Sequence, residues 1–331
     1  MPDIRNTIRQ WRWKLKGAGR ELGMLTGHTK TFFRKARGQR ILVYHGVCQQ
    51  DHLRFNTLFV TQRMFERQLQ LFKEYFHLLS LDEYYAGKFS EDRFNVCLSF
   101  DDGFANNHKY VLPLLEKYEV PAVFFITGVR KEGYDILWND ALAIARQYGP
   151  HNIETGGETF IKNKEGIYQS VRTGAKLAEQ LRLQDFDTKR ELIHLLEDCK
   201  AKAPADYWLQ LTTDEIRSMA ANKWVTVGAH GLYHNDLAAL SPDKVGNELQ
   251  QVKRYLEELC DRPVKSLAFP YGSYTNSTVQ LAKKEGFTQL LAGMFNNDEQ
   301  LQDEAMRERL TINPYISAVN QLHATIKGHY D

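Results

Sequence analysis

The segment with the clearest chemical meaning is residues 99–104, with the sequence SFDDGF. It follows the apolar run 96–98, which predicts a buried strand. A glycine then permits a sharp turn where that strand ends. Burying the adjacent carboxylates of Asp101 and Asp102 without partners would be costly, so a packing role is a poor explanation for them. The pair indicates a metal site or a proton shared with a substrate.

Two histidines close a second apolar strand. Residues 224–229 (WVTVGA) lead into His230 and His234, four positions apart. A single helical turn there would let both imidazoles reach one ion. With one carboxylate they give three nitrogen and oxygen ligands and leave a position for water, as in catalytic zinc-type sites. Because α/β barrels assemble chemistry at the carboxyl ends of their strands, we expect the two motifs to meet.

A third apolar strand ends in the tetrapeptide FPYG at 269–272. In this order and spacing, the three motifs resemble those of the polysaccharide deacetylases, also called carbohydrate esterase family four or the NodB-homology domain. The resemblance covers about residues 40–315. The strand at 41–44, followed by His45 and Gly46, is similar to a branch of the family that opens with Tyr-His-Gly.

The resemblance implies a metal-dependent hydrolase that removes an N-acetyl group from an amino sugar. Asp102, His230 and His234 would hold one divalent ion, zinc first, with Co²⁺, Ni²⁺ and Mn²⁺ as alternatives. Asp101 would be the base that takes a proton from the attacking water. The backbone N–H of Tyr271 would help to stabilise the oxyanion. The products would be a free amine and a carboxylate, acetate first.

The sequence departs from the family pattern around the base. Gly231 stands where the family usually has a Ser or Thr that would brace the loop after the first histidine. Ala268 stands where the third motif usually carries an Arg that orients the base. The sequence leaves open what holds Asp101 in place.

The family's late histidine, a general acid, has only His323 and His329 as candidates here. His323 lies among apolar residues at helical spacing, so we expect it to belong to a helix. We expect instead that His45 lies at the active rim, because it follows a barrel strand. It would serve there as the general acid, or it would be a hydrogen-bonded structural histidine.

Three further residues are predicted to contact the substrate. Asn106 follows the first motif, and Pro270 belongs to the third. Trp138 opens a helical pattern at 138–148 inside the long segment 129–211, which separates two predicted strands. This segment is much longer than a normal connection. We expect it to be an insertion that serves as a lid or recognition segment, or that packs away from the site.

Strand-like runs alternate with amphipathic helical patterns, which predicts an α/β fold with a parallel sheet. The pattern alone would also allow a doubly wound sheet, whereas the family fold is a distorted (β/α)7-type barrel over 39–331. Helix starts are indicated at Thr61, at Thr212 with Glu215, at Ser241 and at Asn276. The predicted strands are 41–44, 95–100, 122–127, 224–228, 266–269, 289–292 and 309–312.

The chain has 331 residues, 43% of them hydrophobic, and a net charge of +2, which is ordinary for a soluble globular protein. Its first 40 residues carry eleven Lys and Arg against two acidic residues. We predict that residues 1–38 form a basic amphipathic extension that binds a membrane surface, or else a solvated segment packed on the barrel. Nucleic-acid binding is not expected.

The location and substrate follow from these features as expectations. The sequence has no apolar run long enough to span a bilayer, no secretory signal pattern and no C-x-x-C pair. We therefore expect a cytoplasmic protein, peripheral on the inner membrane face, that acts on a lipid-linked or nucleotide-linked N-acetylated saccharide. The alternatives are a deacetylase of exported chitin-like or peptidoglycan-like polymer, and a non-catalytic carbohydrate-binding barrel.

Overall fold

The computed structural model describes residues 4–296 and 298–330. Residues 1–3 of the predicted extension lie outside this description, as do the side chains of residues 4–13. The strands are β1 (Gln39–Tyr44), β2 (Val47–Cys48), β3 (Val60–Thr61), β4 (Phe76–Leu78), β5 (Phe94–Phe100), β6 (Ala122–Ile126), β7 (Asn152–Thr155), β8 (Glu158–Lys162), β9 (Tyr168–Ser170), β10 (Val225–Ala229), β11 (Ser266–Ala268), β12 (Gln289–Ala292) and β13 (Met306–Thr311).

Helices cover the outside of the sheet and fill the long insertion. They are α1 (Ile4–Thr26), α2 (His28–Lys35), α3 (Gln62–Tyr75), α4 (Leu81–Tyr85), α5 (Leu112–Tyr118), α6 (Trp138–Tyr148), α7 (Leu177–Arg182), α8 (Phe186–Leu195), α9 (Glu197–Lys200), α10 (Thr213–Ala220), α11 (Pro242–Cys260), α12 (Asn276–Lys284) and α13 (Ala318–Lys327).

Seven parallel strands close into a barrel. Their order is β1, β13, β12, β11, β10, β6 and β5, and β5 pairs back to β1. All seven coincide with strands predicted from the sequence, and the closure confirms the distorted barrel and excludes the doubly wound sheet. The distortion lies at β5, where β4 pairs with the first half of one edge and β6 with the second half.

The barrel interior is closed by apolar side chains. Ile41 on β1, Cys97 on β5 and Phe125 on β6 belong to one buried cluster. The register places Ile41 beside both Cys97 and Arg309. Because strand side chains alternate between faces, Ser99 and then Asp101 follow Cys97 toward the interior. The pleat of β5 therefore aims Asp101 into the barrel mouth.

Helix starts follow the predicted capping residues with one correction. Thr61 caps α3, and Thr212 forms a capping box with Glu215 at α10. Pro242 is the first residue of α11. The cap of α12 is Thr275, whose hydroxyl accepts from the Thr278 backbone, so the prediction of Asn276 was displaced by one residue.

The insertion at 129–211 has its own core and an unpredicted sheet. Strands β7, β8 and β9 pair antiparallel, and the turn between β7 and β8 is Gly156-Gly157, both at positive φ. Two adjacent glycines suit a tight hairpin turn. Buried side chains of α6, α8 and the sheet, such as Leu142, Leu192 and Phe160, pack together.

The N-terminal helices pack against α13. The Arg20 guanidinium donates to Asn320 Oδ1, and Phe33 on α2 is fully buried against the main core. Among the described residues, no helix combines the length and hydropathy that crossing a bilayer requires.

Candidate active site and metal centre

The base candidate, Asp101, is held by an arginine from another strand. Arg309 Nη1 donates to Asp101 Oδ1 at 2.7 Å, and Arg309 Nη2 donates to Oδ2 at 2.8 Å. Both side chains are buried. Burial alone would raise the pKa of Asp101, but the guanidinium and the neighbouring histidines outweigh it and hold that pKa below its usual value.

Arg309 answers the question that Ala268 left open. It lies on β13, inside the barrel mouth, with its guanidinium 5.3 Å from the ring centre of Phe125. The sequence placed residue 309 in a strand but gave its side chain no role. The available signal was an arginine within a strand of an otherwise apolar barrel, where burial demands a carboxylate partner.

Asp102, His230 and His234 form a compact buried cluster. Asp102 Oδ1 lies 3.4 Å from His230 Nε2 and 3.2 Å from His234 Nε2. One ligand atom of each residue falls within 4.8 Å of the others, as a shared metal ion requires. The structure thus brings together all three residues that the sequence predicted as ligands.

Left-handed backbone conformations create this convergence. Asp102 has φ +75°, so its side chain leaves the pleat that Asp101 follows. Gly231 at φ +72° and His234 at φ +55° bend the histidine segment. These turns, and not the helical turn considered from the spacing, bring the imidazoles together. Such residues cost of order 1–3 kcal/mol each where they are not glycine, and they cluster at functional sites.

A hydrogen bond to the backbone prepares His230 as a ligand, whereas the buried Nδ1 of His234 has no partner among the described residues. His230 Nδ1 lies 2.8 Å from the carbonyl oxygen of Ala268, which can only accept. Nδ1 therefore carries a proton, which leaves Nε2, the nitrogen that faces Asp102, as the atom that can bind a metal. Ala268 thus serves the site through its backbone.

The protonation equilibria of the cluster are coupled. Burial would raise the pKa of Asp102, yet His234 and His230 hold it well below its usual value. Burial favours the neutral form of both histidines. It lowers the pKa of His234, whereas the two aspartates reverse that effect at His230 and raise its pKa.

A cavity of about 440 Å³ opens directly over the cluster, within the size range of small-molecule sites. His45 and Tyr271, both predicted to belong to the site, line it together with Asp101, Asp102 and the two histidines. His45 follows β1 beside the end of β5. Its ring is close enough to lower the pKa of both aspartates, and its buried Nδ1 has no hydrogen-bond partner within the described chain.

Tyr271 forms one wall of the cavity. It adopts φ +59°, and its ring centre lies 4.7 Å from that of His234. Arg182, at the end of α7 in the insertion, stacks 4.7 Å over the same ring. Burial and the nearby Asp102 raise the pKa of the phenol well above its usual value, so the hydroxyl stays neutral.

Two of the residues predicted to contact the substrate, Asn106 and Trp138, do not line the cavity. Asn106 is buried, where its Oδ1 accepts from the Val47 backbone and its amide donates to the Asp206 carbonyl. Its hydrogen-bonding capacity is used within the fold, away from the cavity. Trp138 is buried in the insertion's own core, with Lys189 Nζ 5.2 Å from its ring centre.

Pro270 and the late histidine also lie outside the cavity lining. Pro270 is buried under the histidine segment, where a Cβ at Gly231 would lie 3.5 Å from its ring. His323 belongs to α13, as expected, and stacks on Phe32 at 5.2 Å. This leaves His45 as the histidine of the cavity that holds neither predicted ligand role.

The insertion braces the histidine segment from behind. Lys189 on α8 is fully buried, and its Nζ donates to Asn235 Oδ1 at 2.6 Å. The Asn235 amide donates in turn to Glu248 on α11 at 2.5 Å. Arg182 Nε donates to Asp236 Oδ2 at 2.8 Å. These contacts hold the residues next to His234, and they were not visible in the sequence because they join distant segments.

With the fold and geometry in place, comparison with known proteins identifies the family. The sequence profile named "Polysaccharide deacetylase" matches residues 90–178 and 187–290, which is more than half of the chain. The protein belongs to the polysaccharide deacetylase family. No curated protein sequence matches the chain significantly.

Solved structures share the fold at low sequence identity. The chain resembles the Streptococcus pyogenes deacetylase PplD in complex with acetate, at 19% identity and TM-score 0.57, over 86% of this chain and 97% of that one. IcaB from Ammonifex degensii matches at 17% identity and TM-score 0.53, over 88% and 98%. The de-N-acetylase from Aggregatibacter actinomycetemcomitans matches at 16% and 0.53, also over 88% and 98%.

Proposed function

We propose that this protein is a metal-dependent deacetylase that removes an N-acetyl group from an amino sugar in a glycan or glycan precursor. The observation that carries the proposal is one cavity that holds both the Asp102–His230–His234 cluster and the Asp101–Arg309 pair. A ligand set beside an oriented carboxylate is what hydrolysis by an activated water needs. Membership of the deacetylase family supports the same reaction.

The residues present fit a divalent metal. The donors are two imidazole nitrogens and one carboxylate oxygen, a set suited to Zn²⁺ that also accepts Co²⁺, Ni²⁺ or Mn²⁺. The hydrogen bond from His230 Nδ1 to a carbonyl turns Nε2 toward the other donors, as it does in known metal sites. A metal bound there supplies Lewis acidity toward the amide carbonyl and lowers the pKa of water.

The chain's own residues then move the protons. Asp101, ionised and held by Arg309, takes the proton of the attacking water. His45 gives a proton to the leaving amine, because it is the histidine in the cavity lining that is not a predicted metal ligand. The backbone N–H of Tyr271 donates to the oxyanion. The amide C–N bond breaks, and a free amine and acetate leave.

Metal analysis and acetate release test this proposal together. Purified wild type should hold about one divalent ion per chain, as a single ligand cluster predicts, and His234→Ala should lose it. Wild type should release acetate from at least one of a panel of N-acetylated saccharides, whereas Asp101→Asn should keep the metal and lose the activity. Saccharide binding without metal or acetate release would contradict the proposal and favour a non-catalytic binding barrel.

The membrane location of the protein and the group to which its saccharide substrate is linked are also proposals. Leu15, Leu22 and Leu25 on α1 are 67%, 62% and 85% exposed. Their spacing of seven and three places them on one helix face, beside the exposed Lys14 and Lys16. An apolar stripe flanked by cations favours the anionic inner leaflet of a membrane. We therefore propose a peripheral protein at that face, acting on a lipid-linked or nucleotide-linked saccharide.

A further inference from the structure

One face of the insertion's first helix forms part of the catalytic cavity. Asn139, Asp140, Ala143 and Arg146 on α6 all line it. Their spacing of one, four and seven residues from Asn139 defines a single helix face. Trp138, one position earlier, turns away into the insertion's core. The insertion thus places polar side chains opposite the barrel residues that carry the proposed chemistry.

Asp140 is the most unusual of these residues. Its side chain is 3% exposed, and its Oδ2 is buried without a hydrogen-bond partner among the described residues. The neighbouring Asn139 Oδ1 is also buried and has no hydrogen-bond partner among the described residues. Burial and the charge of Asp102 raise the pKa of Asp140 well above its usual value, while the amide of Asn56 opposes this weakly.

Unsatisfied buried oxygens of this kind are costly to a fold. They are retained where a ligand completes their hydrogen bonds, and these two lie in a cavity that a ligand must enter. Asp140 lies outside the compact group formed by Asp102 and the two histidines, so it is not needed as a metal ligand. Hydroxyl groups are the donors in a saccharide that such oxygens can accept from.

We propose that Asn139 and Asp140 bind the sugar itself, accepting hydrogen bonds from the hydroxyl groups of the pyranose that carries the acetamido group. This inference rests on the proposed function for the identity of the ligand. It assigns a recognition role to the insertion, since α6 alone supplies both residues. Phe55 and Tyr271, which line the same cavity, offer aromatic surface for the apolar face of the ring.

The test compares a substrate that has the sugar with one that lacks it. Asp140→Ala, Asp140→Asn and Asn139→Ala are assayed on an N-acetylated chito-oligosaccharide and on 4-nitrophenyl acetate, with metal content measured for each. For the two alanine variants, the sugar contact predicts that kcat/KM falls roughly 10- to 100-fold on the saccharide, since leaving a buried hydrogen-bonding group unpaired costs about 1–3 kcal/mol. Asp140→Asn keeps an acceptor oxygen and should lose less. Activity on the aryl acetate and metal content should stay unchanged.

The control is Asp187→Asn, which removes an exposed carboxylate of the same insertion and should change neither substrate. Monodeoxy analogues of the saccharide identify the contact directly. Removing the hydroxyl that Asp140 binds should weaken wild type but cost Asp140→Ala little more, as in a double-mutant cycle. Equal losses on both substrates, or no loss on the saccharide, would overturn the inference.

Binding in the Asp101→Asn background separates this inference from the proposed function. If wild type hydrolyses neither substrate, the proposed reaction fails, and saccharide binding is measured by calorimetry. Weaker binding after adding Asp140→Ala then supports the subsite. Equal binding with and without that change, or no binding at all, rejects it.

Discussion

In this protein Arg309, and not a residue at position 268, orients the carboxylate of Asp101. A guanidinium offers two parallel donors that match a carboxylate, which fixes both the direction and the ionisation of the acid. In this barrel the donors come from β13, next to β1 in the closed sheet. The small side chain of Ala268 leaves its strand without that role.

We predict that Arg309→Lys will lower kcat on a saccharide about 100-fold while metal content stays the same. Lysine keeps the positive charge but has no fork, so Asp101 loses its fixed orientation, and small misplacements of a reacting group cost about that much. Arg309→Met should also lower the free energy of unfolding, by about 3–5 kcal/mol, because it leaves a buried charge unpaired.

The matched control is Arg307→Lys on the same strand, where the half-buried guanidinium lies 4.8 Å from the ring centre of Tyr85 and does not contact Asp101. It should behave like wild type. Full activity in Arg309→Lys would show that Asp101 does not need the fork.

A leaving-group test addresses His45. If His45 protonates the departing amine, His45→Gln should slow amide hydrolysis by about 10²-fold or more, the usual range for acid catalysis. An aryl acetate, whose phenolate leaves without protonation, should lose less than about tenfold. His52→Gln, at a histidine bonded to the Pro314 carbonyl, is the control. Equal losses on both substrates would instead give His45 a structural or binding role.

Residue types predicted the ligands but not their supports. Asp101, Asp102, His230 and His234 stand beside strand ends, so local sequence was sufficient to place them at the barrel mouth. Arg309 is 208 positions away from Asp101, and its partner depends on which strands close the barrel. Asn106 misled because its position after the motif looked favourable, whereas its amide joins β2 to the segment around Asp206.

At the scale of elements, the insertion acts on the metal loop through Lys189. The ammonium is buried and bonded to the neutral amide of Asn235 instead of a carboxylate. Burial lowers its pKa to about 8, and Glu248, Asp236 and Asp185 oppose that effect only partly. The contact holds Asn235 beside His234, where Gly231 offers no hydroxyl to brace the segment.

This burial predicts a pH dependence of stability. In the unfolded chain a lysine titrates near 10.4, so between about pH 8 and 10 the unfolded state binds more protons than the folded state. The contribution of Lys189 should therefore rise with pH in that range, by at most about 1.4 kcal/mol per pH unit. Below pH 8 it should be constant.

Urea unfolding of wild type and Lys189→Met at pH 7.5, 8.5 and 9.5 measures this contribution as a difference. That difference should grow in favour of wild type as the pH rises. For Lys200→Met it should not, because Asp135 and Glu197 pair with Lys200 and raise its pKa. Parallel pH profiles for wild type and Lys189→Met would contradict the burial of a titrating ammonium.

Elements with a clear hydrophobic pattern were predicted from the sequence, and elements without one were missed. The seven barrel strands are apolar runs with turns after them, and all seven were found. The sheet β7–β9 was missed because its strands are short and partly exposed, with burial in β8 confined mainly to Phe160. Its pairing depends on the Gly156-Gly157 turn, which reads equally well as a loop.

At the scale of the whole molecule, the N-terminal helices connect the barrel to whatever surface α1 faces. Helix α2 is anchored by Phe33, whose ring lies 5.3 Å from that of Tyr75 on α3. Helix α1 meets α13 through Arg20 and Asn320. Deleting residues 1–38 would therefore uncover core as well as remove the exposed stripe. Substitutions on the stripe give the cleaner test of membrane binding.

We predict that wild type sediments with vesicles containing anionic lipid and that the triple variant Leu15→Gln, Leu22→Gln, Leu25→Gln moves at least tenfold toward the supernatant. Apolar burial and roughly 1 kcal/mol per nearby cation both drive the binding, so added salt should weaken it in wild type. The control triple replaces Leu183, Leu195 and Leu301, which are 61%, 52% and 66% exposed elsewhere, with Gln. Because both triple variants replace three exposed leucines with Gln, they differ only in where those leucines lie. Equal sedimentation of the two variants, or none by wild type, would refute the membrane proposal while leaving the active site as described.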